Sequence, residues 1–232
     1  MTKPIVVFDL DGTLIDTAPD LIDSLNHALA SAGVPPVDYV AHRTHAGFGG
    51  RVMIERAFQA HRLDLSAERL ERLQEAFLDH YTSQIPGRSS PFPGVLEAMG
   101  ELRAAGYLLA ICTNKPVRLA VSLMQALALE KEFAAICGAD TFEFRKPDPR
   151  HLTETIRLAG GDAERAVMVG DSRTDIDTAK AAGIPVVAVD FGYTDRHVRE
   201  FEPSVVISGF AALTVGLVER LIASASGRRL PA

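Results

Sequence analysis

Asp9-Leu10-Asp11-Gly12-Thr13 sets two carboxylates two residues apart, directly after the apolar run Ile5-Val6-Val7-Phe8. That run reads as a buried strand, and residues i and i+2 of an extended chain point to the same side. Asp9 and Asp11 therefore face one small volume at the strand's C-terminal end, with Leu10 turned toward the core. Two anions held that close repel unless a cation or a shared proton intervenes. The pair points to a hard divalent metal, with one carboxylate left over for chemistry. Asp11-Gly12 taken alone is also an ordinary turn, because Asp bonds its own backbone and Gly supplies unusual dihedrals. Asp9 has no such explanation, since an ionised group ending an apolar strand costs desolvation unless it is paired.

Further chemistry-bearing residues follow other apolar runs. Thr113-Asn114-Lys115 opens a helix and can offer a hydroxyl and backbone N–H groups to an oxyanion or phosphate, or simply cap that helix. Lys146 precedes Pro147, which bars a helical conformation at the lysine and suits an ammonium aimed at a fixed spot; a solvated loop lysine is the alternative. Gly170-Asp171-Ser172-Arg173-Thr174-Asp175 puts two acids four apart on one face of an incipient helix, with Asp177 off that face. Asp175 alone also fits as a helix-starting acid; Asp171, hard against a buried strand, does not.

The patterning that must position these residues changes along the chain. Residues 17–85 are helical in pattern. Thr17-x-x-Asp20 resembles a capping box with Pro19 in the first turn, and Leu21, Leu25, Leu29 and Ala32 form a stripe ending at Gly33. A second helix covers 51–58, and Ser66 caps a third whose stripe is Leu70, Leu73, Phe77 and Tyr81. A Pro/Gly-rich linker spans 86–94. Helices at 95–105, 116–129, 148–159, 174–182 and 210–223 then alternate with strands at 107–112, 133–137, 166–169, 185–189 and 205–207. From Ser226 onward the chain reads as a frayed tail. Alternation of this kind implies a parallel sheet covered by helices on both faces, with its site at the strand C-termini. The helical stretch is thus an insertion after the first strand of an α/β core.

The chain has 232 residues, 47% hydrophobic, with a net charge of −6. That composition suits a globular protein with a sizeable core, and the absence of basic runs argues against nucleic acid as a partner. No apolar run reaches membrane-span length and no signal-like segment opens the chain, so a cytoplasmic location without membrane association is expected. Cys112 and Cys137 read as buried small hydrophobes in a reducing compartment, and His42-x-x-His45 lacks partners at zinc spacing. No P-loop, Gly-x-Ser-x-Gly elbow or His-Glu-x-x-His is present. Without heptads or an unpaired apolar stripe, the expected assembly is a monomer or homodimer.

Taken jointly, Asp9/Asp11/Thr13, Thr113, Lys146 and Gly170-Asp171/Asp175 resemble, in order and over the full length, the motifs of the haloacid dehalogenase superfamily of phosphotransferases. Within it, Thr44-His45-Ala46-Gly47-Phe48-Gly49-Gly50-Arg51 and Val169-Gly170-Asp171-Ser172 are similar to stretches of the bacterial phosphoglycolate phosphatases. The resemblance implies a Rossmann-like core of residues 1–15 and 90–232 and a mobile helical cap of residues 16–89. It implies a small phosphorylated metabolite as partner and Mg²⁺ as cofactor, held by Asp9, the Asp11 carbonyl and Asp171, with Asp175 reaching the ion indirectly. Asp9 would be the nucleophile, Asp11 the general acid and base, and Lys146 the neutralising cation. Thr113 and Asn114 would hold phosphate oxygens. Asp11 separates such phosphotransferases from the dehalogenases, whereas a sugar-phosphate phosphatase, a phosphomutase or a pyrophosphatase keeps the same core residues. A phosphate-binding protein without activity is a further alternative. Gly49, Gly50 and Arg51 are the expected specificity residues, meeting a substrate carboxylate through close backbone approach, a helix N-terminus or the guanidinium; a plain inter-helix turn is the other reading.

Overall fold

A computed structural model describes residues 2–227. In chain order its elements are β1 (Lys3–Phe8), β2 (Ile15–Asp16), α1 (Ala18–Ser31), α2 (Tyr39–His42), α3 (Gly50–Ala60) and α4 (Ala67–Gln84). Then come β3 (Ser90–Pro91), α5 (Val95–Ala104), β4 (Leu108–Cys112), α6 (Val117–Ala126), β5 (Ala135–Cys137) and α7 (Pro149–Leu158). The remainder is β6 (Gly161–Gly170), α8 (Arg173–Ala182), β7 (Val186–Val189), β8 (Val205–Ile207) and α9 (Val215–Gly227). The α/β class expected from the alternation is the one observed.

Among the described residues the main sheet runs β5-β4-β1-β6-β7-β8, every neighbouring pair parallel. β1 is buried on both faces: Val6 and Phe8 join one apolar cluster, Ile5 and Val7 the other. The first cluster is continuous with the inward stripes of α1 and α4, including Leu21, Leu25, Leu29, Leu70, Leu73, Phe77 and Tyr81. The second packs α7 and α8 on the opposite face through Leu152, Ile156, Ile176 and Ala179.

Several local expectations need correction. Thr17 does not cap α1: its hydroxyl donates to Asp11 Oδ1 at 2.7 Å. Asp20 accepts instead from the Arg88 and Ser89 amides at 2.9 and 2.7 Å. Charge-assisted bonds to partners distant in sequence win over the local box. Ser66 caps α4 as expected, accepting from the Arg69 amide at 3.2 Å. The stretch taken as a linker contains β3, which pairs antiparallel with β2. α6 stops earlier than its pattern suggested, with Ala128 in the left-handed region at φ 58°. β6 is longer than its apolar core. The terminal helix is split into a single turn at Phe210–Ala212 and α9, which includes Ser226 and Gly227; the rest of the expected tail lies outside the described residues.

Leu25 is fully buried in the apolar cluster that α1 shares with α4. Leu25→Ala should lower the free energy of unfolding by about 2–5 kcal/mol, the cost of a cavity in a core that relaxes only in part, as read from urea denaturation.

Candidate active site

The central position of β1, between β4 and β6, brings residues remote in sequence together. Asp9 leaves β1 with its amide still bonded to the Val169 carbonyl at 2.9 Å, and Thr113 leaves β4 bonded to the Cys137 carbonyl at 3.0 Å. Asp171 follows β6 directly, and Asp175 projects from the first turn of α8. One carboxylate oxygen from each of Asp9, Asp171 and Asp175 lies within 4.8 Å of the others. Lys146 reaches into this cluster, its Nζ 2.9 Å from Asp9 Oδ1 and 2.6 Å from Asp175 Oδ1.

Each acid has a different set of partners. Asp175 is fully engaged: Oδ1 takes Lys146, and Oδ2 accepts from the Ser172 amide at 3.1 Å and hydroxyl at 2.6 Å, closing a capping box on α8. Asp171 accepts from the Thr13 hydroxyl at 3.0 Å and the Tyr193 amide at 2.6 Å. Space around it depends on two glycines. A Cβ at Gly12 (φ 83°) would fall 2.5 Å from Asp171 Oδ2, and one at Gly192 would fall 2.3 Å from the same atom. Asp9 Oδ1 is buried and, apart from an ion pair with Lys146 outside hydrogen-bond geometry, has no partner among the described residues.

The electrostatics follow from this crowding. Burial pushes the Asp9 carboxyl up to about 6, with Lys146 opposing and Asp175 adding to the rise. Burial, then Asp175 and Asp9, hold Asp171 well above the usual carboxylate range. Burial alone would lower Lys146, but Asp175 and Asp9 outweigh it and keep the ammonium charged. Three carboxylates against one ammonium leave two negative charges uncompensated. An all-oxygen donor set with one buried oxygen unspent, in a cradle kept open by glycines, fits a hard divalent cation.

Asp11 is outside that cluster. Its Oδ1 accepts from Thr17 and from Lys115 Nζ, the latter at 3.0 Å, and its Oδ2 lies 3.3 Å from Lys115 Nζ. Asp11 and Asp9 thus have separate cations. Thr113 Oγ1 accepts from the Lys115 amide at 3.1 Å, and the Asn114 side chain donates to the Lys146 carbonyl at 2.9 Å. The side chain of Asn114 therefore braces the lysine loop. The glycine-rich turn before α3 makes no hydrogen bond or ion pair to these acids or to Lys146, although Gly47 lies close to Tyr193. Gly49 precedes α3 at φ 83°, Gly50 lies against Phe77, and the half-exposed Arg51 pairs with Glu55 at 3.7 Å.

Three participants escaped the sequence reading. Lys115 stood in a strand-end tripeptide valued only for its hydroxyl and amide. Tyr193 follows β7, where the same strand-end logic would have found it. Besides its amide bond to Asp171, its hydroxyl accepts from the Ala18 amide at 2.8 Å and bonds Asp16. His151 had no signal beyond its place in α7. The Lys146 amide can only donate, so Nδ1 accepts from it at 3.2 Å; the Gly138 carbonyl can only accept, so Nε2 donates to it at 3.1 Å. That pattern fixes a neutral imidazole behind Lys146.

Acids clustered with a lysine beyond the C-terminal ends of a parallel α/β sheet lie where such folds place their sites, and their chemistry suits a cation. Residues 6–189 match the haloacid dehalogenase-like hydrolase family, and the chain belongs to that family. It is 68% identical over 225 residues to a phosphoglycolate phosphatase of Mesorhizobium japonicum, covering 97% of this chain and 99% of that protein. Identity to a phosphoglycolate phosphatase of Agrobacterium fabrum is 50%, covering 95% and 94%. A crystal structure described as a predicted phosphoglycolate phosphatase from Haemophilus somnus superposes with a TM-score of 0.84 at 28% identity, covering 92% of this chain and 97% of that one. No helix among the described residues is long and apolar enough to cross a membrane.

His151 gives a pH prediction. Burial and the Lys146 charge depress its pKa from 6.5 to about 4. The unfolded chain takes up this proton first, so the stabilising contribution is full above pH 6.5 and is lost as pH falls toward about 4. Between pH 7 and 4.5 the melting temperature should therefore drop less in His151→Gln than in the parent, as followed by circular dichroism.

Proposed function

We propose that the protein is a Mg²⁺-dependent phosphomonoesterase whose substrate is 2-phosphoglycolate, hydrolysed through an aspartyl-phosphate on Asp9. The carrying observation is Asp9 Oδ1, buried in an acidic cluster, ion-paired with Lys146 and otherwise without a hydrogen-bond partner among the described residues. The names of relatives with which the chain shares nearly its whole length support the substrate.

Asp9 attacks phosphorus along the line opposite the ester oxygen. Asp11, oriented by Thr17 and Lys115, enters the step protonated, gives that proton to the departing alkoxide and regains one from the water that cleaves the acyl phosphate. Lys146 offsets charge between the nucleophile and the phosphoryl oxygens, and Thr113 with the Asn114 amide meets oxygens on which charge accumulates. Asp9, the Asp11 carbonyl and Asp171 would hold the ion, and Asp175 would act on it through Lys146, Ser172 or water. Bound there, Mg²⁺ would supply compensation for the charge of nucleophile and phosphate. Residues 16–89 would act as the cap and the rest as the core. The β2–β3 ladder, which joins Ile15–Asp16 to Ser90–Pro91, supports boundaries there.

Asp9→Asn should cut phosphate release by roughly 10⁴-fold or more while circular dichroism still shows a folded protein; near-parental turnover would refute the nucleophile assignment. For the parent, EDTA should abolish phosphoglycolate hydrolysis and excess Mg²⁺ should restore it. Turnover indifferent to both would remove the metal from the proposal.

A further inference from the structure

The site holds a second buried lysine that attack on phosphorus does not use. Lys115 Nζ sits at the Asp11 carboxylate, its side chain 5% exposed. Its other neighbour is Tyr81 of α4, whose ring centroid is 4.4 Å from Nζ. The Tyr81 residue is 2% exposed, and its hydroxyl, beside the Lys115 ammonium, finds no acceptor for its own proton among the described residues. Burying a hydroxyl whose proton finds no acceptor is costly, and a structural tyrosine would ordinarily avoid it. Phenylalanine would fill the same space without that cost. An unpaired donor beside a buried ammonium is an arrangement that an anion would complete.

The position says which anion. Asp11 faces the ester oxygen under the proposed function, on which this inference rests. A cation bonded to Asp11 therefore lies next to the leaving group, whereas Lys146 serves the phosphoryl side. A neutral alcohol requires no fixed charge there. An alcohol carrying a carboxylate one carbon from the ester oxygen does. We propose that Lys115 Nζ and the Tyr81 hydroxyl form the subsite for the substrate's carboxylate. The core supplies the charge and the helical insertion the hydroxyl, so the carboxylate is read where the two meet. Arg51, exposed and paired with Glu55, is not needed for this contact.

The test is a ratio: kcat/KM for phosphoglycolate over kcat/KM for ethyl phosphate, measured with Mg²⁺. In Lys115→Met both constants should fall, because Asp11 loses its partner, but the ratio should fall by a further 10- to 100-fold, roughly the worth of a charge-assisted contact. Tyr81→Phe keeps the Lys115–Asp11 pair and the ring, and should lower the ratio by about tenfold through KM for phosphoglycolate. If Lys115 only orients Asp11, both substrates suffer equally and the unchanged ratio overturns the subsite. A ratio that collapses in Arg51→Ala but survives in Lys115→Met overturns it in favour of the turn opening α3. Should Lys115→Met fail to fold, Tyr81→Phe decides alone: a parental ratio there refutes the hydroxyl contact and with it the subsite. A parent enzyme showing no preference for phosphoglycolate over ethyl phosphate would instead sink the proposed function.

Discussion

Confining three carboxylates to a volume a few ångströms across is the constraint on which this structure turns. Like charges 4 Å apart repel by about 4 kcal/mol at the effective dielectric of a protein interior. Asp9, Asp171 and Asp175 meet that cost with one ammonium, two hydroxyls and two amides from four different loops. Removing one partner from such a buried ion pair typically costs about 3–5 kcal/mol. This accounts for the care with which Lys146 is held: Asn114 grips its carbonyl and His151 its amide. The remaining negative charge is an invitation to a cation, and the unspent oxygen of Asp9 lies where that cation would be met.

Parallel pairing makes the assembly possible. Each strand of the sheet delivers its next residues to the same edge, so neighbours in space come from positions more than 100 residues apart. β1 is the axis, with β4 and β6 on either side. Functional labour is divided along the same short turn. Asp9 pairs with Lys146 and Asp11 with Lys115, which under the proposed function would place the first pair on the phosphoryl side and the second on the leaving-group side.

The sequence carried much of this because strand-end residues announce themselves. Asp9 was legible as an acid no apolar strand would tolerate unpaired, and Asp171 for the same reason. Asp175 was ambiguous between helix starter and site residue, and its two oxygens divide accordingly: one caps α8 while the other takes Lys146. Contacts that depend on a partner far along the chain were illegible. Thr17 looked like a cap because its neighbours suit one, but Asp11 outbids the local amide. His151 carries no local sign of its bonds to Lys146 and Gly138, and the two-residue pairing of β2 with β3 is too short to leave a pattern. Tyr81 was visible as one member of an apolar stripe, while its stranded hydroxyl was not.

That short ladder has an architectural corollary. The chain departs from the strand layer at Ile15–Asp16 and comes back at Ser90–Pro91, directly alongside. Excursion and return share one doorway, so the intervening helices could be exchanged for another module without re-threading the sheet, much as insertions are accepted where chain ends lie close. The limit on such exchange is the apolar cluster that runs without a break from Val6 and Phe8 to Leu21 and Leu25: a replacement would have to close it with apolar surface of its own. Diversification of ligand choice on a fixed reaction centre is thus open to this scaffold by module replacement as well as by point substitution.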